Sequence, residues 1–291
     1  MYELIRITEN DFYIQCPAKI GLVKTGENEA CLIDSGGDKD AGKKCRRILD
    51  AEGLRLRAIY NTHSHADHVG GNAYLQAQTG CRVFAAGIER VFTERPYLEP
   101  AFLYGGDPPP GLRHKFLMAQ PSAAEALTER MLPEGWRLIP LPGHSFDMVG
   151  FRTPDNTVFL GDCLASETTL KKYGIPFLVD PAAYLGTLEL VKTLEARCFV
   201  PAHAEETETI APLAQKNIDA TYEAAARIEK ICETPTAFEE ILKSVFDAYG
   251  LIMSLEQYAL VGSTVRSYLS WLSQEGRLRA EIDGNRLYWR K

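Results

Sequence analysis

No stretch of this chain approaches the ~18 consecutive apolar residues that a membrane-spanning helix needs. Its first residues, MYELIRITENDF, carry acids where a secretory leader would have a basic end and an apolar run. No membrane partner and a cytoplasmic location are therefore expected. Cysteine is sparse and unpaired: the seven, at 16, 31, 45, 81, 163, 198 and 232, are odd in number and show no paired spacing, which argues against a disulfide framework and for a reducing compartment. Basic residues do not dominate either. Against 39 acids stand 32 bases, and the net charge of −7 argues against a nucleic-acid grip spread over the whole surface, although it leaves room for a local patch. Internal repeats and low-complexity segments are absent. What remains, 45% hydrophobic and 24% charged residues over 291 positions, is an ordinary globular chain with room for one large α/β domain or a core plus an appendage.

Short strand-like runs fill the first 35 residues, with Gly26 and Asn28 at a turn. Ala41, Cys45, Ile48 and Leu49 then recur at helical spacing over 38–52, and RAIYNTH reads as the next strand. Residues 71–79 predict a helix and CRVFAA a strand, the βα alternation of a layered α/β fold. The span 87–121 breaks this rhythm with Phe92, Tyr97, Phe102, Tyr104 and Phe116 among Pro96, Pro100 and Pro108 to Pro110, so it reads as an ordered insertion of short helices and turns, a candidate lid. Tyr104 and Phe116 are its candidate substrate contacts. WRLIPL, MVGFRT, TVFLGDC and CFVPAH predict further strands, with a helix over 181–196 and a long amphipathic one over 210–231. The tail, 232–291, reads as a helical segment, then SLEQYAL, then an amphipathic helix over STVRSYLSWLSQEG, then a hairpin around a Gly-Asn turn, a layout like a winged-helix module. A domain boundary near 231 follows.

Five of the six histidines sit in three loop-like segments. In Asn61-Thr62-His63-Ser64-His65-Ala66-Asp67-His68-Val69-Gly70-Gly71, three imidazoles and a carboxylate crowd within six residues. In a core each would need its own partner or cost ~1 to 3 kcal/mol; a metal satisfies them together. His144, in PLPGHS, and His203, in VPAHA, each follow an apolar strand, as do the acids Asp34 and Asp162. Singly these read as exposed histidines, helix caps or loop ends. Their common setting, at strand ends where an α/β sheet presents its ligands, points to one site.

Asp34, then His63-x-His65-x-Asp67-His68, then His144, Asp162 and His203, in that order, resemble the motifs of the metallo-β-lactamase superfamily, over roughly residues 1 to 231. The resemblance implies an αββα sandwich with a metal pair in the cleft at one sheet edge; the winged-helix-like reading of 232–291 rests on the layout of that tail. The resemblance assigns His63, His65 and His144 to one ion, Asp67, His68 and His203 to the other, Asp162 as the bridge and Asp34 as an acid that orients the ligand loop. Zinc is the first expectation, iron or manganese the alternatives. Divalent ions there would bring the pKa of water from 15.7 towards ~7, and Asp67 would orient the attacking oxygen or take its proton.

Asp162 stands where the β-lactamases with this histidine cluster carry Cys, so the pattern resembles glyoxalase II, the lactonases and the nucleases more closely. The expected activity is hydrolysis of a small acyl substrate, a thioester, lactone or ester. Two alternatives stay open. An endoribonuclease would use the tail to hold RNA, but six bases against three acids in residues 262–291 leave only a net +3, so packing or a homodimer contact is favoured. A mononuclear-iron sulfur dioxygenase would use His63, His144 and Asp162 alone.

Overall fold

Alternating side chains at the amino terminus build an antiparallel meander. The computed structural model describes residues 2–291 and places there β1 (Glu3–Arg6), β2 (Asp11–Gln15), β3 (Ile20–Gly26) and β4 (Glu29–Ile33). Helical crossovers follow, and with them the pairing turns parallel. α1 (Lys39–Ala51) leads to β5 (Arg55–Tyr60); α2 (Ala66–Val69) and α3 (Asn72–Thr79) lead to β6 (Arg82–Ala85). Asp38 starts α1 by accepting from the N–H groups of Asp40 and Ala41, and the chain leaves through Gly53 at φ 67°. Residues 87–121 hold α4 (Glu89–Glu94), α5 (Leu98–Tyr104) and a 3-10 turn (Pro110–Leu112), after which the short β7 (Glu125–Ala126) completes a seven-stranded sheet in sequence order.

β8 (Arg137–Pro140), β9 (Val149–Arg152), β10 (Thr157–Gly161) and β11 (Cys198–Pro201) form a second sheet, ordered β11-β10-β9-β8. Between β10 and β11 lie α6 (Glu167–Tyr173) and α7 (Pro181–Lys192). The helix expected over 181–196 stops early because the Thr193 hydroxyl donates to the Leu190 carbonyl and caps it. Strand alternation shows the layers directly. Cys31, Ile33, Ala58 and Tyr60 meet Phe151, Phe159 and Val200 between the sheets, while Leu32 and Ile59 face Cys45, Leu49 and Leu75 under α1 and α3. Val158 and Leu160 turn the other way, toward Leu188 and Ile218. This is an αββα sandwich. Gly21 lets the sheets close, since a Cβ there would lie 2.8 Å from the Phe159 ring.

The remaining chain forms α8 (Ala211–Ile231), β12 (Thr236–Ala237), α9 (Phe238–Tyr249), α10 (Leu255–Gln274), β13 (Arg279–Asp283) and β14 (Arg286–Arg290), with a three-stranded sheet β12-β14-β13. SLEQYAL and STVRSYLSWLSQ, read from sequence as separate pieces, are one helix capped by Ser254; Gly262 sits inside it, where the helical cost of glycine, ~1 kcal/mol, is offset by burial of the surrounding face. Leu242, Val265, Leu269 and Leu272 share a hydrophobic cluster with Leu160, Leu188 and Ile228, so residues beyond 231 pack into the same core as the second sheet's helices. Among the described residues no helix is long and apolar enough to cross a membrane, and all seven cysteines are unpaired and buried.

Candidate metal centre

Every donor lies just past the carboxyl end of a strand: Asp34 after β4, His63 to His68 after β5, His144 after β8, Asp162 after β10 and His203 after β11. Glycines permit the approach of these loops. A Cβ on Gly70 would lie 2.2 Å from the Gly37 carbonyl carbon, and Gly143, at φ 122°, would meet the Tyr184 nitrogen at 2.3 Å. The result is two donor sets, His63, His65, His144 and Asp162, and Asp67, His68, Asp162 and His203, each with its donor atoms within 4.8 Å of one another.

In the first set His65 Nδ1 lies 2.9 Å from His63 Nε2 and 3.1 Å from His144 Nε2, and Asp162 Oδ2 lies 3.6 Å from His144 Nε2. In the second, His203 Nε2 is 3.1 Å from Asp67 Oδ2 and 3.3 Å from Asp162 Oδ2, and His68 Nε2 is 3.1 Å from Asp162 Oδ1. Donors bound tetrahedrally to zinc at ~2.0–2.1 Å would be roughly 3.3 Å apart. The spacing fits.

Outer partners decide which ring nitrogen faces inward. His68 Nδ1 lies 2.8 Å from Asp34 Oδ2, so it carries the hydrogen and leaves a bare Nε2. His144 Nδ1 lies 3.1 Å from the Phe177 carbonyl, with the same consequence. The Thr62 hydroxyl donates to Asp34 Oδ2 and is therefore an acceptor for His63 Nδ1, 3.0 Å away. The Nε2 atoms of His63 and His144 thus converge on His65 Nδ1, and that of His68 on Asp162 Oδ1, a crowding of donor atoms that a single cation in each set would satisfy. His68 Nε2 and Asp162 Oδ1 are buried and have no hydrogen-bond partner among the described residues, as metal donors would. Asp34 holds this set at φ 64°, a left-handed backbone that few non-glycine residues adopt.

The electrostatics divide the two sets. Burial, reinforced by neighbouring imidazoles, pushes His63 well below its ordinary value and His65 and His144 down to about 4, so they are neutral at pH 7, as metal donors must be. His203 is raised to about 10, chiefly by Asp162. Burial would lower His68 and raise Asp67, but in each the opposite charges prevail: His68 lies well above its ordinary value, and Asp67, beside His68 and His203, is lowered to about 2. Protons compete here for the place of a metal.

Two carboxyl groups from the helices of the insertion, neither of them legible as a site residue in the sequence, stand behind the candidate ligands. Glu89, fully buried, accepts from Ser64 N and Oγ on one oxygen and from Ser145 Oγ and Asp147 N on the other, clamping the His63–His65 loop to the His144 loop. Glu99 Oε1 lies 3.6 Å from His65 Nε2, the ring atom facing away from the donor cluster. Burial, with Glu89 nearby, raises Glu99 to about 8. Neither bore a signal, because a glutamate in a short helix reads as a surface residue until its tertiary neighbours are known.

A cavity of about 460 Å3 opens on His144, Asp162 and His203, and its walls come from α6, from Ile175, Pro176 and Phe177, and from Leu251, Gln257, Leu260, Val261 and Thr264. Tyr104 and Phe116, the expected substrate contacts, are not among its lining. Phe116 is 74% exposed, and Tyr104 borders a separate groove beside Phe146 and Trp271. The insertion's aromatics instead brace the His144 loop, with Phe102 5.1 Å from Phe146. Cys163 is buried in the apolar cluster with Tyr184 and Leu188, outside the donor sets.

Comparison with known proteins agrees with this geometry. A hydroxyacylglutathione hydrolase of Methylococcus capsulatus is 35% identical over 117 residues, 40% of this chain and 37% of that one. A beta-lactamase-like protein 2 homolog of Drosophila melanogaster is 27% identical over 185 residues, 61% and 55% of the two chains. The matched stretch therefore spans only about a third to a half of those relatives. The solved structure of a metallo-beta-lactamase family protein from Thermus thermophilus superposes with a TM-score of 0.74 at 18% identity, covering 100% of this chain and 98% of that one, so the likeness of fold extends through the C-terminal segment. With the family profile of the metallo-beta-lactamase superfamily matching residues 14–203, the chain belongs to that superfamily.

Proposed function

We propose that the protein is a two-metal hydrolase, with zinc the first choice, acting on a small acyl substrate: an ester, thioester or lactone. One observation carries this reading: two complete imidazole-carboxylate donor sets share Asp162 at the floor of a ligand-sized cavity. Divalent ions held there would supply Lewis acidity, making water acidic enough to attack at neutral pH and polarising the carbonyl. The chain's own groups do the rest. Asp34, Thr62, Phe177 and Glu99 fix the rings, Glu89 keeps the two ligand loops in register, and Asp67, facing His203, is placed to orient a water and receive its proton. The hydroxyacylglutathione hydrolases among the relatives support thioester or ester cleavage.

Two complete sets favour a binuclear hydrolase over a single-iron dioxygenase. Among the described residues no Lys or Arg lines the cavity, which disfavours an RNA substrate, whose phosphates would need cations. Seven buried, unpaired cysteines support a cytoplasmic setting. The test is metal analysis of the purified protein, alongside hydrolysis of acetyl and aryl esters and thioesters. Two ions per chain and esterase or thioesterase activity, both lost in Asp162→Ala, are expected; a single iron with no hydrolysis would overturn the reading.

A further inference from the structure

The cavity beside the metal centre has a chemical character of its own. Its apolar wall comprises Leu164, Ile175, Phe177, Leu251, Leu260 and Val261, and no Lys, Arg or Glu lines it among the described residues. Most of its polar side chains are already engaged with the protein. The Tyr184 hydroxyl donates to Asn217, the Thr264 hydroxyl donates to the Leu260 carbonyl and accepts from Leu178 N, and Thr169 pairs with Ser166. Gln257 and the Tyr173 hydroxyl remain to meet a ligand. A charge at the far end of an acyl chain, away from the donor sets, would lose its hydration and meet no Lys or Arg, at a cost that disfavours binding; an alkyl or aryl group there buries its surface at no such cost.

His203 also borders a second groove, of about 470 Å3, whose lining includes Ser166, Glu167, Thr168, Glu205 and Lys216. The centre therefore has an apolar recess and a polar approach meeting at one histidine. A substrate with one apolar and one polar half has a single orientation that suits both.

From this we infer that the enzyme selects uncharged, apolar acyl groups, of medium-chain alkyl or aryl type, seated in the recess built by α6, residues 175–177 and α10, with a polar alcohol or thiol leaving group toward the His203 groove. The inference rests on the hydrolase reading and narrows it. In the reaction the oxygen of water bonds to the acyl carbon, the acyl–oxygen or acyl–sulfur bond breaks, and the proton goes to the departing alcohol or thiol. Selectivity lies in α10, a helix of the C-terminal segment, rather than in the aromatic insertion.

The experiment uses the full-length, metal-loaded protein and two readouts. The first is kcat/KM for one thiol leaving group carrying acetyl, butyryl, hexanoyl, octanoyl, benzoyl and succinyl groups. The second is calorimetric binding of non-hydrolysable methyl ketones of rising length. We expect kcat/KM to rise by about fourfold per methylene until the recess is filled, succinyl to be the poorest substrate of its length, and ketone affinity to follow the same order. Val261→Trp, which fills the recess, lowers the octanoyl-to-acetyl ratio at least tenfold and abolishes the length dependence of ketone binding. Hydrolysis with a flat profile, or with succinyl preferred, overturns the assignment of the recess while leaving the hydrolase standing. Length-dependent ketone binding with no hydrolysis of any ester upholds the recess and sinks the hydrolase reading instead.

Discussion

Two additions to the sandwich reach the candidate metal centre, the insertion 87–121 and the C-terminal segment 232–291, and they differ in what they place there. The insertion contributes carboxyl groups from behind: Glu89 ties together the loops of His63, His65 and His144, and Glu99 faces the outer nitrogen of His65. The C-terminal segment contributes surface in front, with Leu251, Leu260 and Val261 in the cavity wall. They also touch each other. His114, the histidine outside the donor sets, pairs with Glu256 at 2.6 Å, and Leu103, Leu112 and Leu117 cluster with Ala259. On the proposed function, metal affinity and substrate specificity would reside in different places: one appendage stiffens the candidate ligand shell, and the other bounds the cavity.

The comparison can be broken most sharply at Glu89. Glu89→Ala strips the partner from two backbone N–H groups and two hydroxyls, each costing ~1–3 kcal/mol when left unpaired in a buried site. The expected result is a lower denaturation midpoint together with loss of bound metal, measured by chemical unfolding and emission spectroscopy on the same preparation. Full metal content with a change only in acyl preference would put the insertion on the substrate's side after all.

Glu99→Leu should have a smaller and more selective effect. Losing the carboxylate behind His65 is expected to weaken metal retention ~10–100-fold, read by competition with a chelator, while the ranking of acyl substrates stays as in the parent. Glu99→Gln, which keeps a polar group there, should restore part of that affinity. A third variant tests the other appendage. Leu260→Ala should cost ~1–3 kcal/mol in transition-state binding of an apolar ester and leave the metal content as it was. Smallest of all, Phe116→Ala should move stability by no more than ~0.5 kcal/mol, because the ring is largely exposed; unchanged kcat and KM would complete the case against an aromatic lid.

The difference between the appendages also explains what could be read in advance. His63, His65, Asp67 and His68 lie within six residues, so their convergence is encoded locally, and His144, Asp162 and His203 each follow a recognisable strand end. Strand alternation and the caps of α1 are local as well, so the sandwich was legible. Glu89, Glu99 and Val261 owe their roles to neighbours far along the chain: Glu89 meets Ser145 56 residues away, and Val261 meets His144 and Asp162 only across a cavity. Aromatic and proline content drew attention to Tyr104 and Phe116, yet composition reports that a segment is ordered, not which way it faces. The same limit affected α10, whose two stretches, SLEQYAL and STVRSYLSWLSQEG, read as separate pieces although they form one helix.

The continuous core joining α7, α8 and α10 bears on the order in which the site is completed. All of the proposed metal donors lie between residues 63 and 203, whereas part of the cavity wall lies between 251 and 264. During synthesis from the amino terminus the donor loops emerge first, but Val158, Leu160 and Phe199 of the second sheet share their core with α10, so the sheet that presents Asp162 and His203 is fully packed only when α10 arrives. On the proposed function, metal loading and substrate selection would then be completed together, and a ribosome-stalled chain ending before α10 would lack both a closed core behind Asp162 and a recess.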